Sequence, residues 1–133
     1  MTGTAFTHRI RVRYSECDQQ GVVFNGHYLF FYDVAVVELF RARIGSWQQV
    51  LERGVDLVVA ETRLRYRAPA RFDDELDISL PVTHLGTTSL VISPQFHRDG
   101  RLLTDGEVRH VFVDPATGQK TPIPEDLRSA LSA

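Results

Sequence analysis

The segment Tyr14-Ser-Glu-Cys-Asp18-Gln-Gln-Gly21-Val-Val-Phe24-Asn25-Gly-His-Tyr28 holds the residues with most to offer chemically. Asp18 stands in a turn-forming stretch that Gly21 can bend back toward Asn25. Asn25, Gly26 and His27 open a long apolar run with the character of a helix. The first amides of a helix lack intrahelical acceptors and sit at the positive end of its dipole. Aimed at a carbonyl oxygen, they hold negative charge as it develops there. Gly26 has no side chain, so a substrate group can approach that backbone closely. A carboxylate across from such amides attacks an electrophilic carbonyl carbon or draws a proton from water. Taken alone, Asp18 reads first as a loop-capping carboxylate, because aspartate is common in turns. Asn25 suits an N-cap through its side chain whatever its backbone does.

Other residues offer less. Cys17 with His27 as base suggests a thiolate nucleophile, but cysteine is more often a small buried hydrophobe, and neighbours on an extended loop point in different directions. Tyr14 and His27 are candidates to line a pocket; the plainer reading puts Tyr14 at a strand end in the core and leaves His27 partly exposed. Asp33 and Glu38 lie on the apolar run and need partners there, and Arg41 stands three residues beyond Glu38. They are the fallback carboxylates should Asp18 fail. His84, His97 and His110 are spread over different strands without short ligand spacing, which speaks against a metal site. The rows Arg9/Arg11/Arg13 and Arg63/Arg65/Arg67 have the chemistry to meet phosphates, yet a solvated strand face or a subunit contact ranks higher. There is no G-x-S-x-G motif.

The elements that position these groups follow from periodicity. His8 to Tyr14 alternates as a half-buried strand. The spacing predicts a helix from Tyr28 to Ile44, opened at Asn25, closed at Gly45, about 27 Å long and apolar on most of its circumference. Ser46-Trp47-Gln48-Gln49 is a capping box for a second short helix ending at Gly54. Four strands follow, over Val55–Arg67, Leu76–Val82, Leu90–Phe96 and Leu102–Val113, with Pro69 and Pro81 marking bulges or edges. A short helix begins near Pro124. The result is an α+β chain in which one long meander, a curved antiparallel sheet of about five strands, wraps around a central helix.

Composition limits what such a chain does. The 133 residues suit one domain (1–133), with 43% hydrophobic and 24% charged residues in globular proportion. No apolar run is long enough for a membrane span, and the N-terminal residues lack the apolar core of a secretory signal. A net charge of -2 argues against nucleic acid as partner. A single cysteine excludes a disulfide framework and fits a reduced, cytoplasmic setting. Arginine outnumbers lysine fourteen to one, which we take as coding bias.

The element order and the Tyr14–Tyr28 segment resemble the hotdog-fold acyl-CoA thioesterases, and most of all the 4-hydroxybenzoyl-CoA thioesterase branch. The likeness continues through Glu38-Leu-Phe-Arg41 and Arg65-Tyr-Arg-Ala-Pro-Ala-Arg-Phe-Asp73-Asp74, covering nearly the whole chain. It implies hydrolysis of an acyl-CoA to a carboxylic acid and free CoA. Asp18 matches the family's catalytic carboxylate, as nucleophile or general base, and the Asn25 amide matches the group that polarises the thioester carbonyl. Tyr14, Phe24, Gly26, His27 and Tyr28 are the substrate-binding candidates. The resemblance implies no metal or redox cofactor. It implies a homo-oligomer with active sites at the subunit interface, a dimer at least and a tetramer in many members. Leu85-Gly-Thr-Thr-Ser89 lacks the basic residues that the best-known member of the branch carries at that turn. Phe24, Phe30, Phe31 and Trp47 suit an aromatic or a medium aliphatic acyl group alike. A non-catalytic acyl-CoA or aromatic-ligand binding protein and an enoyl-CoA hydratase or dehydratase of the same fold are the alternatives.

Overall fold

A computed structural model describes residues 5–132. The long apolar run forms α1 (His27–Arg43). Its buried residues, Tyr28, Phe31, Tyr32, Ala35, Val36, Leu39 and Phe40, recur at three- and four-residue steps and make one continuous stripe. Ile44 and Gly45 both donate their amides to the Phe40 carbonyl, at 2.8 and 3.1 Å, and Gly45 takes a positive φ of 136°. At the other end the N-cap is Gly26, with no side-chain cap, so Asn25 stands one residue outside the expected capping position. Ser46 caps α2 (Trp47–Leu51) by accepting the Gln49 amide at 3.2 Å, as the capping box predicts.

Among the described residues the sheet contains seven strands: β1 (Thr7–Arg11), β2 (Asp56–Tyr66), β3 (Glu75–Ser79), β4 (Val82–Leu85), β5 (Ser89–Ile92), β6 (Gln95–Arg98) and β7 (Arg101–Val113). Two expected strands are interrupted, Leu76–Val82 just before its end and Leu90–Phe96 in its middle. Pro81 separates β3 from β4, and Ser93-Pro94 separates β5 from β6, because proline supplies no ladder N–H. The order β1-β3-β6-β7-β5-β4, with β2 on the other edge of β7, replaces a simple meander by a sheet built around β7. All pairs are antiparallel. Pro81 accepts the Ser93 amide at 2.9 Å and Pro94 accepts the Gly106 amide at 3.2 Å, so the interruptions line up across three neighbouring strands. α3 (Glu125–Ser132) buries Leu127 and Leu131, and Asp126 ties it to Arg53 at 2.6 Å.

The sheet covers only the buried stripe of α1. Leu29, Phe30 (65% exposed), Val34 and Val37 stay open to solvent on the opposite side. β1 is also shorter than its alternation suggests. Tyr14, expected to end it inside the core, opens a 3₁₀ turn (Tyr14–Glu16) and is 81% exposed. The strand arginines lie on the solvent side and face acids across the ladder: Arg9 with Asp77 and Glu75, Arg11 with Glu75 and Asp73, Arg65 with Glu107 and Asp105, and Arg67 with Asp105. Arg67 and Arg9 hold the carboxyls of Asp105 and Asp77 below the usual carboxylate range.

Leu64 of β2 pairs with Gly106 of β7. A Cβ at Gly106 would stand 1.8 Å from the Arg63 carbonyl oxygen, so the strands pair in this register only because that position is glycine. Replacing Gly106 by alanine is expected to cost at least about 2 kcal/mol, the size of a forced backbone shift in a packed core. Equal urea midpoints for Gly106→Ala and the parent chain would contradict this packing.

Candidate active site

The loop before α1 is a small hairpin closed by its own backbone. The Asp18 amide donates to the Val22 carbonyl at 2.9 Å, the Gly21 amide to the Asp18 carbonyl at 3.0 Å, and Gly21 adopts a φ of 77°. Asp18 Oδ1 accepts the Gln20 amide at 2.8 Å, an Asx turn. The turn-capping reading of Asp18 therefore holds, but it engages one oxygen. Oδ2 has no hydrogen-bond donor among the described residues. A bridge from Cys17 to Val23 joins the two arms of this hairpin, and a bridge from Val22 to Arg71, together with the Val23 amide on the Ala70 carbonyl at 2.8 Å, fastens it to the loop between β2 and β3.

Asp18 lies at the meeting of two clefts. The first, about 330 Å³, is lined by Asp18, Gln20, Val22, Asn25, Tyr28 and Tyr66 among others. The second, on the other side of Asp18, is lined by Tyr14, Cys17, Gln19, Gly21 and Phe72, where the Tyr14 and Phe72 rings meet edge to face at 6.0 Å. Of the residues singled out from the sequence, Asp18, Asn25 and Tyr28 share the first cleft and Tyr14 lines the second. Phe24, Gly26 and His27 line neither. The Phe24 ring covers Gly26, 3.0 Å from where a Cβ would be, so that approach is occupied by the chain itself.

The helix mouth differs from expectation in one amide. His27 N–H donates to the Phe24 carbonyl at 2.9 Å, whereas the N–H groups of Asn25 and Gly26 have no acceptor among the described residues. Two residues that the sequence did not single out shape this mouth: Glu16, inside the Tyr14–Tyr28 segment, and Tyr66, far from it. Glu16, 4% exposed, accepts the Arg13 amide at 2.6 Å and the Arg13 guanidinium at 2.9 and 3.0 Å, while its carbonyl takes the Phe24 amide at 3.0 Å. His27 Nε2 lies 3.8 Å from the same carboxylate and its ring rests against Phe30 and Phe31. Tyr66, at the end of β2, donates its hydroxyl to the Asn25 carbonyl at 2.9 Å. The clue to Glu16 is its place three residues after Arg13; no local signal reaches Tyr66.

Burial, then the neighbouring Asp18 and Glu16, push the Cys17 thiol up, which disfavours the thiolate a nucleophile needs. Glu38 pairs with Arg41 on α1. Asp33 lines a separate cavity of about 380 Å³ with Trp47, Leu57, Val59 and His110, and partial burial raises its carboxyl. Neither fallback carboxylate lines the cleft that holds Asp18 and Asn25.

Residues 12–131 match the model of the thioesterase-like superfamily. The chain belongs to that superfamily. Its relatives include the acyl-CoA thioester hydrolase YbgC of Escherichia coli O6:H1 (strain CFT073), 34% identical over 128 residues and covering 96% of each chain. Among solved structures, a hypothetical protein from Thermus thermophilus superposes with a TM-score of 0.86 at 35% identity, covering 95% of this chain and 96% of that one. A 1,4-dihydroxy-2-naphthoyl-CoA thioesterase from Synechocystis superposes at 0.87 with 22% identity, over 98% and 96% of the two chains, which is a likeness of fold. The superfamily's hotdog fold is thus the fold of this chain, and its likeness over nearly its whole length to the acyl-CoA thioester hydrolase makes it a thioester hydrolase. No helix among the described residues is long and apolar enough to cross a membrane.

Behind α1, Tyr32 Oη and His110 Nε2 stand 2.6 Å apart in the core. Burial pushes His110 down to about 4 and raises the Tyr32 phenol, so the pair is a phenol against a neutral imidazole. Unfolded histidine takes up its proton near 6.5 and folded His110 only near 4, so unfolding absorbs a proton between those values. Stability should fall as pH drops through that window, with His110 contributing up to ~1.4 kcal/mol per pH unit. Urea midpoints between pH 4.5 and 7 should show a flatter dependence for His110→Gln; parallel curves would refute the assignment.

Proposed function

We propose that the chain hydrolyses acyl-CoA thioesters to a carboxylic acid and free CoA, with Asp18 as the reacting carboxylate. The observation that carries this reading is the shared cleft: Asp18, with one oxygen held by the Gln20 amide and the other left without a donor among the described residues, lies with Asn25 at the mouth of α1. The unpartnered amides of Asn25 and Gly26 supply donors at the positive end of the helix. Charge that builds on the thioester oxygen meets those donors as the carbonyl carbon becomes tetrahedral. As nucleophile, Oδ2 bonds to the carbonyl carbon and the C–S bond breaks, releasing thiolate and leaving an acyl-aspartyl anhydride that water opens. As general base, Oδ2 takes a proton from water, hydroxide adds to the carbon, and the thiolate leaves and is protonated. Both routes use the same oxygen. The chemistry asks for no metal ion and no redox cofactor, because a thiolate leaves readily from an acyl group.

The naming of the YbgC relatives as acyl-CoA thioester hydrolases supports the substrate class. The hydratase alternative needs a histidine beside the acid at the helix start. His27 instead turns toward Glu16 and the phenylalanines, away from both clefts. The binding-module alternative predicts saturable binding with no thiol released.

A homodimer, the minimum of the proposed oligomer, is supported by what the sheet leaves uncovered. Leu29, Phe30, Val34 and Val37 on α1 and Val58 and Val59 on β2 are exposed, Val37 and Val59 line one cavity, and among the described residues β2 pairs with β7 alone. Packing of two such dimers into a tetramer, in a cytoplasmic setting, completes the proposal.

Asp18→Asn keeps the acceptor for Gln20 and should fold as the parent does, yet lose about a hundredfold or more in rate, the size of an acid–base contribution. Thiol release from acetyl-, octanoyl-, palmitoyl- and benzoyl-CoA measures this and selects the preferred acyl group. Undiminished hydrolysis by the variant would move the chemistry to Asp33 or Glu38. Val59→Asp should convert the dimer to monomer in sedimentation, and an unchanged mass would place the interface elsewhere.

A further inference from the structure

A CoA thioester carries its negative charge on phosphates at the far end of the pantetheine arm, and a cation that meets them must lie within an arm's length of the reacting carbon. The turn Leu85–Ser89 holds no basic residue. Of the arginines around the two clefts, Arg13 is paired with Glu16 at 2.9 Å, Arg67 with Asp105 at 3.0 Å and Arg98 with Asp74 at 2.7 Å. Arg71 differs. Its side chain is exposed, and its guanidinium has no hydrogen-bond or ion-pair partner among the described residues. The acids that follow it are already engaged: Asp73 by Arg11, and Asp74 by Arg98 and by the Arg71 amide itself.

Backbone pairing fixes where Arg71 stands relative to Asp18. The Asp18 amide on the Val22 carbonyl closes the hairpin, and Val22 pairs in turn with Arg71. Residues directly opposite one another on antiparallel neighbours share a face, with Cβ atoms about 5 Å apart. Asp18, Val22 and Arg71 thus make a row across one face, its outer members about 10 Å apart. Asp18 and Val22 both line the first cleft, as that row requires. From sulfur to the first phosphate the pantetheine arm runs about thirteen bonds, roughly 16 Å when extended. An arginine side chain adds about 6 Å beyond its Cβ, so Arg71 reaches a phosphate at that distance from Asp18. Its planar fork of donors matches paired phosphate oxygens.

We propose that Arg71 is a substrate-binding residue that holds the phosphate at the end of the pantetheine arm. This inference rests on the reading that the cleft holding Asp18 is the active site. Arg71 touches the substrate far from the reacting carbon, where charge does not change during hydrolysis. It therefore binds ground state and transition state alike and acts on KM.

The test is Arg71→Gln with three substrates that share one acyl group: the CoA thioester, the 4′-phosphopantetheine thioester and the pantetheine thioester, which has no phosphate. Relative to the pantetheine thioester, kcat/KM for the other two should each fall about tenfold in the variant, the size of one charge-assisted contact, with the loss in KM. Arg71→Lys keeps the charge without the fork and should recover part of that loss. These ratios are internal to each protein, so a change in folded fraction cancels from them. Ratios equal to the parent's overturn the role of Arg71. So does a loss confined to the CoA thioester, which places the contact on the nucleotide and not on the arm phosphate. In both cases an inactive Asp18→Asn leaves the site in place. Full activity of Asp18→Asn removes the site reading itself, and this inference with it.

Discussion

The structure depends on the need to enclose a helix that is apolar on two sides. The stripe Tyr28, Phe31, Tyr32, Ala35, Val36, Leu39 and Phe40 is too large to leave in water, and the sheet curls around it. Burying an aromatic or aliphatic side chain contributes roughly 1.5–3 kcal/mol, so this one stripe is among the largest favourable contributions to folding. The enclosure also fixes where the helix begins. Its first turn is held at the end of β2 and beside the Asp18 hairpin, where Asn25 and Tyr28 line a cleft that the sheet has already shaped.

The candidate site is therefore assembled from three separate stretches of chain. The hairpin after β1 brings Asp18, the start of α1 brings Asn25 and Tyr28, and the end of β2 brings Tyr66. Each is fastened by backbone bonds, such as Val23 on Ala70 and Asp18 on Val22, and does not rely on surface ion pairs. The outward arginine–carboxylate pairs are exposed and contribute little each; their effect is on solubility and strand register.

Much of this was legible in the residues. Period-two and period-four patterns located the strands and α1 to within a few positions, and Ser46 and Gly45 marked their boundaries through local hydrogen bonding and φ. Asp18, Asn25 and Tyr28 were found together because they lie close in the chain. What stayed hidden depends on distant partners. Tyr66 looked like one more residue of an alternating strand, since its carbonyl partner lies 41 positions away. Tyr14 was expected in the core because alternation continues to it, but the Glu16 carboxylate caps a 3₁₀ turn there and carries the ring out to solvent. Pro81 marked one of the broken strands as a bulge or edge, whereas Pro94 passed as a residue of the Leu90–Phe96 strand, and the alignment of the two breaks across the sheet depends on register, which no single segment encodes.

That alignment has a consequence of its own. Pro81, Ser93-Pro94 and Gly106 form a score line along which the sheet is creased, like card folded along a groove. Interruptions gathered into one line divide the sheet into two panels. One panel carries β1, β3 and β6, the other β4 and β5, and β7 with its partner β2 runs across the line between them. Side chains in either panel can change size, making the trough above the helix roomier or shallower, without disturbing the pairing of the other. A scaffold creased in this way can take on differently shaped guests while the mouth of its helix stays where it is.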